Sequence, residues 1–101
     1  MENTQLLELA NKYGSPLYVY DTDKIESQYN RLTNAFSSVK SLKLNYAVKA
    51  LSSINILKFF KNLGAGLDTV SYQEVQLGLT TGINPKKIIY TPNGVSLKEI
   101  E

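Results

Sequence analysis

Apolar and polar positions alternate between two periods along this chain. Residues 4–13 place Leu6, Leu7 and Ala10 on one side of a short helix, and Gly14 stands where a terminating glycine belongs. Pro16 leads into Leu17-Tyr18-Val19-Tyr20, a run of β-favouring residues that predicts a strand over 17–20. Asp21, Thr22 and Asp23 are competent N-caps, and Ile25, Tyr29, Leu32 and Phe36 then recur at helical spacing.

Three further units follow. A strand over 42–48 precedes Ser52-Ser53 and a helix carrying Ile56, Leu57, Phe60 and Leu63, stopped by Gly64. A strand over 66–70 precedes Ser71-Tyr72-Gln73-Glu74, a capping box, and a helix with Val75 and Leu79 that stops near Gly82. A strand over 87–91 leads through Pro92-Asn93-Gly94 into a second capping box, Ser96-Leu97-Lys98-Glu99. These three strands begin about 22 residues apart, the spacing of βα units in a parallel sheet.

The last helix is capped and then ends at Glu101. Three parallel strands do not close a barrel, and an eight-stranded one needs roughly 200–250 residues. The chain therefore reads as the front part of a larger α/β protein. A small three-stranded α/β protein with a frayed tail is the alternative. As a separate piece, the chain is expected to have exposed strand edges, weak association-prone folding and no activity of its own.

Composition narrows the chemistry. The chain is 43% hydrophobic and 20% charged with a net charge of +2, which is globular rather than disordered. Arg31 is the only arginine and no basic run occurs, so nothing favours nucleic acid. With no cysteine and no histidine, zinc fingers, iron–sulfur sites, cysteine nucleophiles and Ser-His-Asp triads are excluded within this stretch, and no metal site is expected. No apolar run reaches the roughly 18 residues of a membrane span. The N-terminus lacks a signal peptide's basic and apolar regions. The expected setting is cytoplasmic, away from membranes.

Lys49 is the main chemical candidate. In a strand 42–49, Leu42, Leu44, Tyr46 and Val48 share one face, and Lys43, Asn45, Ala47 and Lys49 the other. Most such lysines simply lie in water. At the C-terminal end of a barrel strand, however, a lysine stands at the mouth where active sites form, with Ala47 leaving space beneath it. Partial burial there would lower its pKa and supply a neutral amine able to attack an aldehyde, the chemistry of a pyridoxal 5'-phosphate (PLP) site.

On the next strand, Gly66, Asp68 and Val70 share one face, with glycine allowing close approach of a cofactor or a neighbouring strand. Asp68 either pairs with the imine or amine or forms a structural pair with Lys43 or Lys49. Capping fully explains Ser71 and Glu74. Asn93-Gly94 reads as a turn, and the tyrosines as packing residues.

Tyr46-Ala47-Val48-Lys49-Ala50, then Gly64-Ala65-Gly66-Leu67-Asp68-Thr69-Val70-Ser71 with Glu74, resembles the fold-type III PLP-dependent decarboxylases. Gly14-Ser15-Pro16-Leu17-Tyr18-Val19-Tyr20-Asp21 and Ile89-Tyr90-Thr91-Pro92-Asn93-Gly94 are similar to that family's opening and third barrel strand. Each motif alone is modest, but four in order over nearly the whole chain are specific. The resemblance implies an α/β fold in which residues 1–101 are the N-terminal part of a PLP-binding (β/α)8 TIM barrel of the alanine racemase-like kind. Strand 17–20 would join a β-sandwich domain.

The resemblance further implies that Lys49 forms the imine with PLP, that Asp68 lies beside the cofactor, and that Glu74 lies near the site. The enzyme would be a homodimer acting on a small amino acid. The likeness leans toward the branch that acts at the D-centre of meso-diaminopimelate, rather than on ornithine, arginine or carboxynorspermidine. A non-catalytic PLP-binding relative is the rival outside the enzymes.

Overall fold

The computed structural model describes residues 1–101. Helix α1 spans Asn3–Tyr13 and α2 Thr22–Ala35; strand β1 spans Asn45–Ala47 and α3 Ile54–Leu63. Strand β2 spans Gly66–Thr69, α4 Tyr72–Thr80, β3 Ile88–Tyr90 and α5 Leu97–Ile100. The strands lie in chain order, all parallel, with Asn45, Tyr46 and Ala47 opposite Gly66, Leu67 and Asp68. Leu67, Asp68 and Thr69 in turn face Ile88, Ile89 and Tyr90. This is an incomplete βα barrel, as the spacing of the elements predicts.

Alternation along the strands sorts the residues into two faces. Tyr46, Leu67 and Ile88 share the helix-covered face. There Val48, Leu57, Leu67 and Ile83 form the core, with Tyr46, Leu77 and Ile88 packed against it. Gly78 of α4 is buried in the same layer, because an added Cβ would come within 2.8 Å of Leu67 Cδ1 and 3.3 Å of Ile88 Cδ1. The absence of a side chain sets how closely α4 approaches the sheet. Ala47, Asp68 and Ile89 share the opposite face, which no helix covers, and Ile89 is left 47% exposed. In a closed barrel that face lines the interior.

The helix ends follow their local chemistry. Asp21 caps α2 by accepting from the Lys24 N–H at 3.1 Å. That bond and the Met1 ammonium, 3.2 Å from Oδ2, hold the Asp21 carboxyl below its ordinary range. Gly64 ends α3 in the left-handed conformation at φ 90°, where a side chain would be strained.

Several expectations are corrected. Residues 17–20 form no strand within this chain, and all four are exposed, while the pairing expected for them with a β-sandwich domain involves no other residue of this chain. Ladder bonds need a neighbouring strand, and none in the chain lies beside them. The strand expected over 42–48 is confined to 45–47, apart from one bond from the Gly66 N–H to the Leu44 carbonyl. Val48–Ala50 then form a 3-10 turn that drives Val48 into the core.

The strand expected over 66–70 ends at Thr69, and that over 87–91 is Ile88–Tyr90 preceded by a 3-10 turn at Pro85–Lys87. In α1 the partly buried residues are Leu9 and Ala10, while Leu6 and Leu7 are exposed. The Ser96 side chain makes no cap to α5, and the Glu99 carboxylate is turned to the Tyr90 hydroxyl, from which Oε1 accepts at 3.3 Å. Nor are the tyrosines uniformly packing residues: Tyr18 is 90% exposed, whereas Tyr46 is half-buried.

Candidate active site

The C-terminal edge of the sheet brings three candidate side chains to one end of the molecule. Lys49 lies just beyond β1, at the centre of the Val48–Ala50 turn. Asp68 lies on β2 opposite Ala47. Thr91 follows β3 directly. Its N–H donates to the Thr69 carbonyl at 2.8 Å, carrying the ladder one bond past Tyr90. Its hydroxyl donates to Asp68 Oδ1 at 2.7 Å.

This last bond revises the sequence reading of Asp68. The molecule's one ion pair joins the Met1 ammonium to Asp21, so Asp68 pairs with neither Lys43 nor Lys49. Its carboxylate is held by a hydroxyl from the third strand. Thr91 had no signal of its own in the sequence, since the contact joins residues 23 apart and depends on the register of β2 against β3.

Lys49 is exposed, so the partial burial expected for it is not provided by these residues. The physical reason is that β1 is the edge strand and the sheet face beside it is open. The backbone beneath Lys49 is firmly placed nonetheless. Val48 is wholly buried against Leu57, Leu67 and Ile83. The Leu51 N–H donates to the Val48 carbonyl at 3.1 Å, closing the turn. Tyr46 stacks on Phe60 with ring centroids 4.0 Å apart, and burial pushes its hydroxyl above the ordinary value of 10.0.

Glu74 lies at the same end, in the turn after β2. Its Oε2 accepts from the Val70 N–H at 2.7 Å, while Ser71 Oγ accepts from the Glu74 N–H at 3.2 Å. The expected capping role is therefore present, with the carboxylate reaching one residue further back than the N-cap. Gly66 makes room for neighbouring chain rather than for a ligand. A Cβ there would strike Asn45 Oδ1 and approach the Lys87 carbonyl oxygen to 2.7 Å.

These residues fit the aldehyde end of PLP. Lys49 offers an amine engaged by no ion pair, at the end of a strand where barrel sites form. Ala47 places only a methyl group on the face shared with Asp68, and the Asp68–Thr91 pair supplies an oriented acceptor one strand over.

Comparison with known proteins agrees. Residues 22–101 match the family described as pyridoxal-dependent decarboxylase, pyridoxal binding domain. A diaminopimelate decarboxylase from Helicobacter pylori (strain J99) is 45% identical over 94 residues, covering 93% of this chain and 23% of the relative. The crystal structure of diaminopimelate decarboxylase from M. jannaschii in complex with L-lysine superposes with a TM-score of 0.86 at 33% identity. It covers 94% of this chain and 23% of that one. A lysine/ornithine decarboxylase from Vibrio vulnificus, complexed with cadaverine, gives 0.83 at 28% identity over 96% of this chain and 26% of its own. The chain thus spans about a quarter of the length of the proteins it matches.

Proposed function

The chain belongs to the pyridoxal-dependent decarboxylases, and from that premise we propose that it carries the cofactor-bearing lysine of an enzyme converting meso-2,6-diaminopimelate to L-lysine and CO₂. The observation that carries this reading is the unpaired Lys49 amine at the C-terminal end of β1, with the Thr91-held Asp68 carboxylate on the next strand.

PLP, when bound, supplies an aldehyde for amines and a ring that accepts the electron pair left by departing CO₂. Lys49 Nζ would be the amine that holds this group. As an amine at the end of β1, Lys49 would also be able to hold or move a proton at Nζ. Asp68 offers a fixed negative acceptor on the same sheet face, and Thr91 keeps that carboxylate from rotating. Glu74 fixes the turn after β2 and so the backbone that follows Asp68.

The substrate reading rests on the relatives named diaminopimelate decarboxylase. Action on lysine or ornithine is the second reading, favoured by the Vibrio vulnificus match. No helix is long and apolar enough to cross a membrane. The proposed setting is the cytosol and the proposed assembly a homodimer, both on family likeness.

Lys49→Ala in the complete enzyme tests the assignment. CO₂ release from diaminopimelate is expected to fall by at least about 10²-fold, the lower range for losing a positioned proton-transfer group. The visible absorbance of lysine-bound cofactor is expected to vanish. Near wild-type turnover by this variant would refute the role of Lys49. Faster CO₂ release from ornithine or lysine than from diaminopimelate in the wild type would instead select the second substrate reading.

A further inference from the structure

Tyr46 and Leu51 enclose the turn that carries Lys49. The Tyr46 hydroxyl donates to the Leu51 carbonyl at 3.2 Å. The Leu51 N–H already donates to Val48, so this one residue is tied on both sides of its own backbone. The Tyr46 ring is itself fixed by a near-parallel stack on Phe60 of α3, with an interplanar angle of 16°. On the other side of Lys49, Val48 is wholly buried. The lysine side chain projects from a short segment anchored by an apolar plug before it and a polar tie after it. Both anchors lead to α3, through Leu57 and Phe60.

We propose that Tyr46 is a positioning residue for Lys49: its hydroxyl holds the Val48–Leu51 turn so that the amine is presented at a fixed place and angle. This rests on the reading of Lys49 as the cofactor-bearing lysine. Packing alone does not require the hydroxyl, since phenylalanine would stack on Phe60 equally well. The phenol is retained in a half-buried site where its one bond goes to the carbonyl two residues past Lys49. Displacement of a reacting group by about 1 Å costs on the order of 10²-fold in rate, so a tie of this kind acts on turnover more than on stability.

Tyr46→Phe in the complete enzyme separates these effects. Three quantities are read: kcat and KM of the PLP-loaded enzyme, hydrogen exchange of the Leu51 amide in the cofactor-free protein, and the lysine fixed to the cofactor by borohydride reduction and peptide mapping. The expected result is a kcat lowered about tenfold with KM changed less than about twofold, and Leu51 exchange about tenfold faster, the scale of one lost hydrogen bond. Unchanged exchange would overturn the tie, and faster exchange with unchanged kcat would overturn its role in positioning. A reduced label on a lysine other than Lys49 would overturn the function assigned to Lys49, and this proposal with it, while exchange still reported on the turn itself.

Discussion

The Thr91 hydroxyl donates to Asp68 Oδ1 across 2.7 Å, joining the third strand to the second at the open end of the sheet. One short bond thereby orients the only carboxylate on the Ala47–Asp68–Ile89 face. It is the feature of the site that depends most directly on tertiary structure.

Thr91→Val removes this donor while preserving shape. The expected outcome is a loss of kcat on the proposed substrate of about tenfold or more, the effect of one hydrogen bond to a charged group, with recovery in Thr91→Ser. Asp68→Asn is expected to lose more. Steady-state kinetics of the three variants in the complete enzyme check this. Equal activity of Thr91→Val and wild type would show that the carboxylate does not need the hydroxyl.

Gly66→Ala tests the spacing of the strands. The added methyl would meet the Lys87 carbonyl oxygen at 2.7 Å, and backbone cannot swing aside as a side chain can. A loss of about 1–3 kcal/mol is expected, the usual cost of overpacking. Denaturant unfolding of the complete enzyme measures it, and a loss below about 0.5 kcal/mol would mean that the sheet yields easily at this point.

Ser71→Ala removes the side-chain acceptor for the Glu74 N–H. A destabilisation of about 1 kcal/mol is expected from the lost cap. Glu74→Gln keeps an acceptor for the Val70 N–H and is expected to cost less. If Glu74→Gln instead lowers kcat strongly while leaving the melting temperature unchanged, Glu74 acts in the chemistry as well as in the cap.

The 101-residue chain expressed alone is expected to unfold over a broad range and to release no CO₂. Only 10 of its residues are buried. Its radius of gyration is 16.4 Å, against about 13 Å for a compact domain of this length. Calorimetry and size-exclusion chromatography test this, and a sharp monomeric transition would contradict it.

Local sequence determined what local physics decides. The periodicity of Ile25, Tyr29 and Leu32 and the caps at Asp21 and Ser71 follow from spacing and side-chain chemistry within a few residues. So does the stop at Gly64. The order of βα units was legible for the same reason.

Strand length was not legible, because a strand extends only as far as its neighbour pairs with it. Leu17–Tyr20 has strand-forming residues and no partner within this chain, while 42–48 lost both ends for want of ladder bonds. The surroundings of the candidate residues were decided by tertiary structure alone. Register placed Thr91 on Asp68, and the turn after Ala47 sent Val48 inward and left Lys49 exposed. A fold back through Leu51 set the Tyr46 hydroxyl against the chain beyond the lysine. The Asp68–Thr91 contact joins residues 23 apart, and no pattern of spacing along a chain encodes a bond that forms only when two strands are aligned.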